Sequence, residues 1–285
     1  MQNTNKIYAK KSLGQNFLKS KKALSAMIEA GKITSEDTVL EVGPGQGALT
    51  ERLLETGAKI IAVEKDDRLI EYLNKKFVEE TKNGKFSLIH GDILELDLNS
   101  LGLKSSKYKL IANIPYYITG LIFRKFLSEN IQPSKLVIMV QKEIADRIIA
   151  RDGKESLLSL SVKAYGTAKK IMKVEKENFS PKPKVDSAIL LIDNISKDFF
   201  LPTPNTARQA GNEISEEKFF EIIKTGFAHK RKMLIANLKE KFVPPTQIGK
   251  NDLKKFFQDL KIPEKSRSED LRLEDWKEII KKLVF

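Results

Sequence analysis

Between residues 38 and 193, short apolar runs alternate with segments whose apolar side chains recur every third or fourth position. That alternation predicts a parallel sheet covered by helices. Thr38–Val42 reads as the first strand, Lys59–Val63 as the second, closed by Glu64, and Phe86–His90 as the third. Lys109–Ala112 and Leu136–Val140 follow as the fourth and fifth. Helices are predicted through Leu49, Leu53 and Leu54, over 66–80 with Leu69, Ile70, Leu73 and Phe77 in register, and over 143–150. Strands around 157–165, 170–174 and 188–192 complete the sheet, with an antiparallel member. Residues 194–215, holding Pro202, Pro204 and Gly211 and no clear period, break the pattern. Beyond them, 216–285 reads as helical, with Phe219, Phe220, Ile222, Ile223 and Phe227 on one apolar face. Two domains result: an α/β domain over 1–194, opening with a basic arm at 1–22, and a small all-α domain over 195–285.

Composition narrows the chemistry. The 285 residues contain no cysteine and two histidines, His90 and His229. This removes thiolate catalysis, disulfides and Cys-based zinc sites, and argues against a metal centre or a hydrolase triad. No apolar run reaches the ~18 residues of a membrane span, and no signal-peptide core is evident. A cytoplasmic protein without membrane partners is expected, and a monomer. The net charge of +13 is uneven. Lys6, Lys10, Lys11, Lys19, Lys21 and Lys22 crowd the first 22 residues, which hold no acid, and Lys230-Arg231-Lys232 forms a second cluster. A polyanion, RNA above all, is the implied partner; a solvated lysine-rich surface is the plain alternative.

The candidate chemistry sits at predicted strand ends, where ligands bind in open α/β sheets. Glu41-Val42-Gly43-Pro44-Gly45-Gln46-Gly47 joins the first strand to its helix. Its glycine spacing departs from the G-x-G-x-x-G of a dinucleotide loop, yet Gly43 and Gly45 still let backbone approach a ligand closely. Glu64, 21 residues after Gly43, can accept hydrogen bonds from both ribose hydroxyls. This geometry serves any adenosine-containing ligand. Asp92, after the third strand, can accept from an adenine amino group or simply hold a turn. Asn113-Ile114-Pro115-Tyr116 follows the fourth strand and sets an amide, a kinked backbone and an aromatic ring side by side. That suits holding a planar base with a reacting amine, although the same residues can form a turn with a lid.

Taken together the motifs resemble a known family. Lys11-Ser12-Leu13-Gly14-Gln15-Asn16-Phe17-Leu18, the glycine turn, Glu64, Asp92 and Asn-Ile-Pro-Tyr stand in the order found in the KsgA-type rRNA adenine dimethyltransferases. Met139–Glu143 and Phe179–Ser187 are also similar to family signatures. The resemblance implies a Rossmann-like class I methyltransferase sheet with helices on both faces, and S-adenosyl-L-methionine as methyl donor. It also implies that Asn16 and Leu18 line the cofactor pocket with Gly43, Glu64, Asp92 and Asn113. Phe227–Leu234 resembles the F-x-x-R-R-K-T-L element of the branch that methylates two adjacent adenosines near the 3′ end of 16S rRNA, and Arg267–Leu271 resembles its R-x-E-x-L. Lys230, Met233 and Gly120 depart from the family pattern, and lysine does not replace arginine at a bidentate phosphate contact.

The expected mechanism follows from an amine whose lone pair is conjugated into its ring. Asn113 and the Ile114 carbonyl would accept the two amine hydrogens, Tyr116 would stack on one face of the base and, by resemblance, Phe179 on the other. Lys10, Lys11, Lys230, Arg231 and Lys232 would hold rRNA of the small-subunit precursor. Other readings are the 23S rRNA branch associated with antibiotic resistance, a non-catalytic RNA-binding assembly factor and a nicotinamide dehydrogenase.

Overall fold

The computed structural model describes residues 8–201, 214–242 and 250–284. Lys6 of the basic arm and Pro202, Pro204 and Gly211 of the predicted break lie outside the described residues. In chain order the elements begin with β1 Phe17–Leu18, α1 Lys21–Gly31, β2 Thr38–Val42, α2 Ala48–Leu54, β3 Lys59–Glu64, α3 Asp67–Lys76 and α4 Val78–Lys82. They continue with β4 Phe86–His90, β5 Lys109–Ala112, α5 Thr119–Ser128, β6 Lys135–Gln141, α6 Lys142–Ile148 and α7 Leu157–Lys163. After β7 Thr167–Val174, β8 Phe179–Ser180 and β9 Ser187–Asp193 come α8 Glu216–Gly226, α9 Leu234–Phe242, α10 Lys250–Asp259 and α11 Leu273–Val284.

Seven strands form one sheet in the order β4-β3-β2-β5-β6-β9-β7. The first five run parallel, and β9 runs antiparallel to both β6 and β7. Strands covered on both faces need apolar side chains on both, and Val39, Leu40, Val42, Leu110, Ile111, Val137 and Ile138 are all buried. On one face α1 packs against β6, β7 and β9, contributing the buried Ala23, Leu24 and Met27. Separately, β1 pairs antiparallel with β8, setting Phe17 against Ser180 and Leu18 against Phe179.

The predicted helix over 66–80 divides into α3 and α4 at Phe77, whose backbone leaves the helical region. The Phe77 ring fills the space beside Gly47, where an added Cβ would lie 2.7 Å from it at a φ of +79°. Gly47 is therefore required by both backbone and packing.

One expectation is corrected. Residues 157–163 form α7 and not a strand. Apolar runs of this length are compatible with either state, and the cap decides: Ser156 Oγ accepts from Ser159 N–H, and Ser159 Oγ accepts from Ser156 N–H.

The chain divides into two compact units, Met1–Ala145 with Gly166–Ile195, and Asp146–Tyr165 with Ser196–Phe285. Thus α7, read from the sequence as part of the sheet-bearing domain, belongs to the second unit. In that unit Phe219 meets Phe199, Phe200 and Phe220, and the fully buried Trp276 stacks on Phe227.

Candidate active site

Register brings the motifs to one edge. Val42 lies opposite Val63 and Ala112, and Glu64 lies opposite His90. The turns after β2, β3, β4 and β5 therefore leave the sheet at the same end. Strand order reverses between β2 and β5, and there the turns part to open a crevice. A cavity of about 770 Å³ occupies it, a size suited to a nucleoside-containing ligand.

Asn16, Leu18, Gly43, Gly45, Glu64, Asp92, Asn113, Ile114 and Pro115 all line this cavity. A Cβ on Gly43 would meet nothing within 4 Å, so the backbone there faces open space. The Glu64 carboxylate is 6% exposed and anchored by amides: Oε1 accepts from Lys65 and Asp66 N–H, and Oε2 from Gly45 N–H at 3.1 Å. Burial raises its pKa and the amides of Asp66, Gly45 and Lys65 oppose that rise. Asp92 accepts from Lys65 Nζ at 2.6 Å and Leu94 N–H at 2.9 Å. Burial pushes its pKa upward, but the Lys65 ammonium and the amide prevail and hold it below the ordinary value. Both carboxylates keep lone pairs for a ligand.

The segment before β1 forms one wall. Lys10 N–H donates to Gln15 Oε1, and Gln15 Nε2 donates to Asp66 Oδ2, both at 2.8 Å. Arg68 pairs with Asp66 at 2.6 Å and reaches the Tyr8 carbonyl at 3.4 Å. The Arg68 hydrogen bonds are the main reason that the Asp66 carboxyl falls to about 2. Asn113 Nδ2 donates to the Asn16 carbonyl at 3.4 Å. That bond uses one of the amide's two N–H donors, points Nδ2 toward Asn16 and leaves Oδ1 to accept.

Two predicted residues stand outside the lining. Tyr116 is half-buried, and its hydroxyl bonds Ser187 Oγ at 2.5 Å; burial raises its pKa against the opposing effect of Ser187. Phe179 is 3% exposed and belongs to the hydrophobic core with Leu18, Leu24 and Met139. Its pairing with β1 turns the ring inward, and its neighbours Ser180 and Pro181 face the cavity instead. The expectation that Phe179 covers one face of a base does not match this packing.

Among the lining residues that the sequence did not single out, two stand out by their chemistry. Tyr117, 66% exposed, borders the cavity beside Tyr116. Glu41 is 1% exposed, accepts from Thr50 Oγ1 at 2.7 Å through Oε2, and has no partner for Oε1. Burial, with the nearby Glu64 charge, lifts its carboxyl from 4.5 to about 8. An acid inside the otherwise apolar run Thr38–Val42 was the available signal. Because the native pKa is raised, Glu41 favours the fold fully below about pH 4.5, and this contribution is lost as pH rises through about 8. Thermal unfolding of the ligand-free protein between about pH 5 and about pH 9 should therefore show a falling Tm that Glu41→Gln flattens. Equal slopes in both proteins would remove Glu41 as the cause.

In the second unit, Lys230, Arg231 and Lys232 lie exposed in the turn between α8 and α9. The two C-terminal motifs meet around it. Ser268 Oγ and Asn237 Nδ2 donate to the Gly226 carbonyl, Leu234 N–H donates to the Ser266 carbonyl at 2.9 Å, and Glu269 lies 4.0 Å from Lys230. Met233 precedes α9 where a hydroxyl could cap the helix and a thioether cannot. Gly120 sits exposed with open space about it, so a Ser or Thr there would meet no obstacle. Lys10 is exposed, and the side chain of Lys11 lies outside the described residues.

The ribosomal RNA adenine dimethylase family matches residues 7–284. Ribosomal RNA small subunit methyltransferase A of Dehalococcoides mccartyi strain CBDB1 is 39% identical over 273 residues, covering 96% of this chain and 88% of that protein. The protein of the same name from Fusobacterium nucleatum is 37% identical, covering 95% of this chain and 96% of its own. The crystal structure of a dimethyladenosine transferase from Plasmodium falciparum superposes with a TM-score of 0.72 at 28% identity, covering 92% and 95%. That of the 23S rRNA methyltransferase ErmE gives 0.70 at 21% identity, covering 94% and 99%, and shares the fold. The sheet is thus that of the Rossmann-like class I methyltransferases, and the chain belongs to the ribosomal RNA adenine dimethylase family.

Proposed function

We propose that this chain dimethylates the exocyclic amines of two adjacent adenosines near the 3′ end of 16S rRNA, using S-adenosyl-L-methionine, during assembly of the small ribosomal subunit. It acts as a cytoplasmic monomer on a precursor of that subunit. The relatives at 36–39% identity carry the small-subunit name, which favours this substrate over 23S rRNA. The observation that carries the reading is Asn113: its Nδ2 is oriented by a bond to the Asn16 carbonyl and its oxygen remains to accept, at the rim of a cavity walled by Glu64 and Asp92.

The residues present suit the methyl donor. Gly43 leaves room for close approach, and Glu64 and Asp92 offer acceptors to ribose hydroxyls and an adenine amine. When bound, the donor supplies a methyl carbon on a good leaving group, so no strong base is needed. Asn113 Oδ1 and the Ile114 carbonyl accept the amine hydrogens, draw the lone pair out of conjugation and stabilise charge developing on nitrogen. Methyl transfer would leave an excess proton on the amine nitrogen, which these two acceptors would hold until it passes to water. Tyr116 lies between the lining residues Pro115 and Tyr117 but outside the lining itself, half-buried. It meets the base only once that is extracted and then holds it by stacking, which returns about 1–3 kcal/mol of the few kcal/mol that flipping costs. Positioning supplies most of the rest.

The test is methyl transfer from labelled donor to small subunits lacking the modification, followed by mapping. Dimethyladenosine at two adjacent positions near the 3′ end of 16S rRNA is expected. Label confined to 23S rRNA would overturn the substrate, and donor binding without transfer to either would overturn catalysis.

A further inference from the structure

We propose that Ser187 is a positioning residue for methyl transfer, acting through the hydroxyl of Tyr116. The proposal rests on the reading of Tyr116 as the wall against which the target adenine stacks. Topology supplies the first part of the argument. Ser187 opens β9, which runs antiparallel to β6, and it pairs with Gln141 at the end of β6. The start of β9 therefore lies at the same edge as the turns after β2 and β5. A residue beginning a strand thus reaches an edge otherwise built from strand ends.

Packing supplies the second part. Ser187 is fully buried, held between Gln141 and Val174 in the ladder, so its hydroxyl has a fixed place. Tyr116 lies in a short 3-10 turn, Tyr116–Ile118, that has no side-chain cap. Stacking depends on the orientation of a ring, and a turn of this length does not set one. The 2.5 Å bond from the Tyr116 hydroxyl to Ser187 Oγ ties the far end of the ring to the rigid sheet. Asn113 and the Ile114 carbonyl fix the amine, and Ser187 fixes the plane in which the base must lie to meet them. The phenol hydroxyl is thus an anchor, and phenylalanine at 116 keeps the ring but loses its tether.

The test is a double-mutant cycle on kcat, with Ser187→Ala, Tyr116→Phe and the double variant, and with donor affinity measured by calorimetry. Each single change should lower kcat by about 2- to 10-fold, the loss of one ordinary hydrogen bond. The double variant should be no slower than either single one, because both remove the same bond. Donor affinity should stay within about twofold of the wild type, and Ser187→Cys, which keeps the shape and a weak donor, should recover part of the rate. If Ser187→Ala fails to fold, Tyr116→Phe still removes the bond from the less buried side, and an unchanged kcat there would overturn the proposal. So would losses that multiply in the double variant, which would show Ser187 acting apart from Tyr116. A wild type inactive on small subunits would instead overturn the reading of the site on which the proposal rests.

Discussion

Asn113→Ala should lower methyl transfer by about 10²–10³-fold at saturating donor, the usual consequence of deleting one preorganised hydrogen-bond partner of a developing charge. Asn113 gives one amide hydrogen to the Asn16 carbonyl, which leaves Oδ1 able to accept from the amine in the proposed reaction. Alanine removes the acceptor at the moment when nitrogen becomes positive, so the loss belongs to kcat and not to KM. Asn113→Asp is a useful companion. It retains an acceptor but cannot donate to Asn16, and so separates charge stabilisation from orientation. Single-turnover rates at saturating donor and RNA measure both. An alanine variant within about threefold of the wild type would remove Asn113 from the chemistry.

Reversing the charges of Lys230, Arg231 and Lys232 should weaken rRNA binding by about 10²-fold at 0.1 M salt. Each phosphate contact contributes about 0.7–0.9 to the slope of log affinity against log salt. Three lost contacts then flatten that slope by about two to three and, extrapolated from 1 M, cost about two decades at 0.1 M. The turn that carries them should survive, since its supports are the Gly226 carbonyl, Ser268, Asn237 and the Leu234 to Ser266 bond, all away from the charged tips. Filter binding over a salt series provides the measurement. An unchanged slope would reduce the cluster to a solvated surface.

The parallel strands were legible because burial on both faces demands unbroken apolar runs, and Thr38–Val42 or Lys109–Ala112 admit little else. The turns that bear Gly43, Glu64, Asp92 and Asn113 were legible for a related reason, since their chemistry follows each strand directly. Residues 157–163 were misread because a short apolar run carries no period of its own, and a serine cap made them a helix. Phe179 was misplaced for a different cause. Its neighbourhood depends on Leu18, far away in the chain, and no local pattern reveals which of two adjacent residues faces inward. Glu41 was overlooked because a carboxylate within a strand looks like an interruption until its depth and its empty oxygen are seen. The tether between Tyr116 and Ser187 likewise joins segments that only the antiparallel strand brings together.

The pairing of β1 with β8 also has a bearing on how the molecule is made. Phe17 and Leu18 are synthesised well before Phe179 and Ser180, and they find their partners only when those have followed. A growing chain can lay down the glycine turn and its acidic neighbours long before the wall beside them is finished. Translation thus places a wait between the first half of this cavity and its closure, and throughout it β1 has no partner strand.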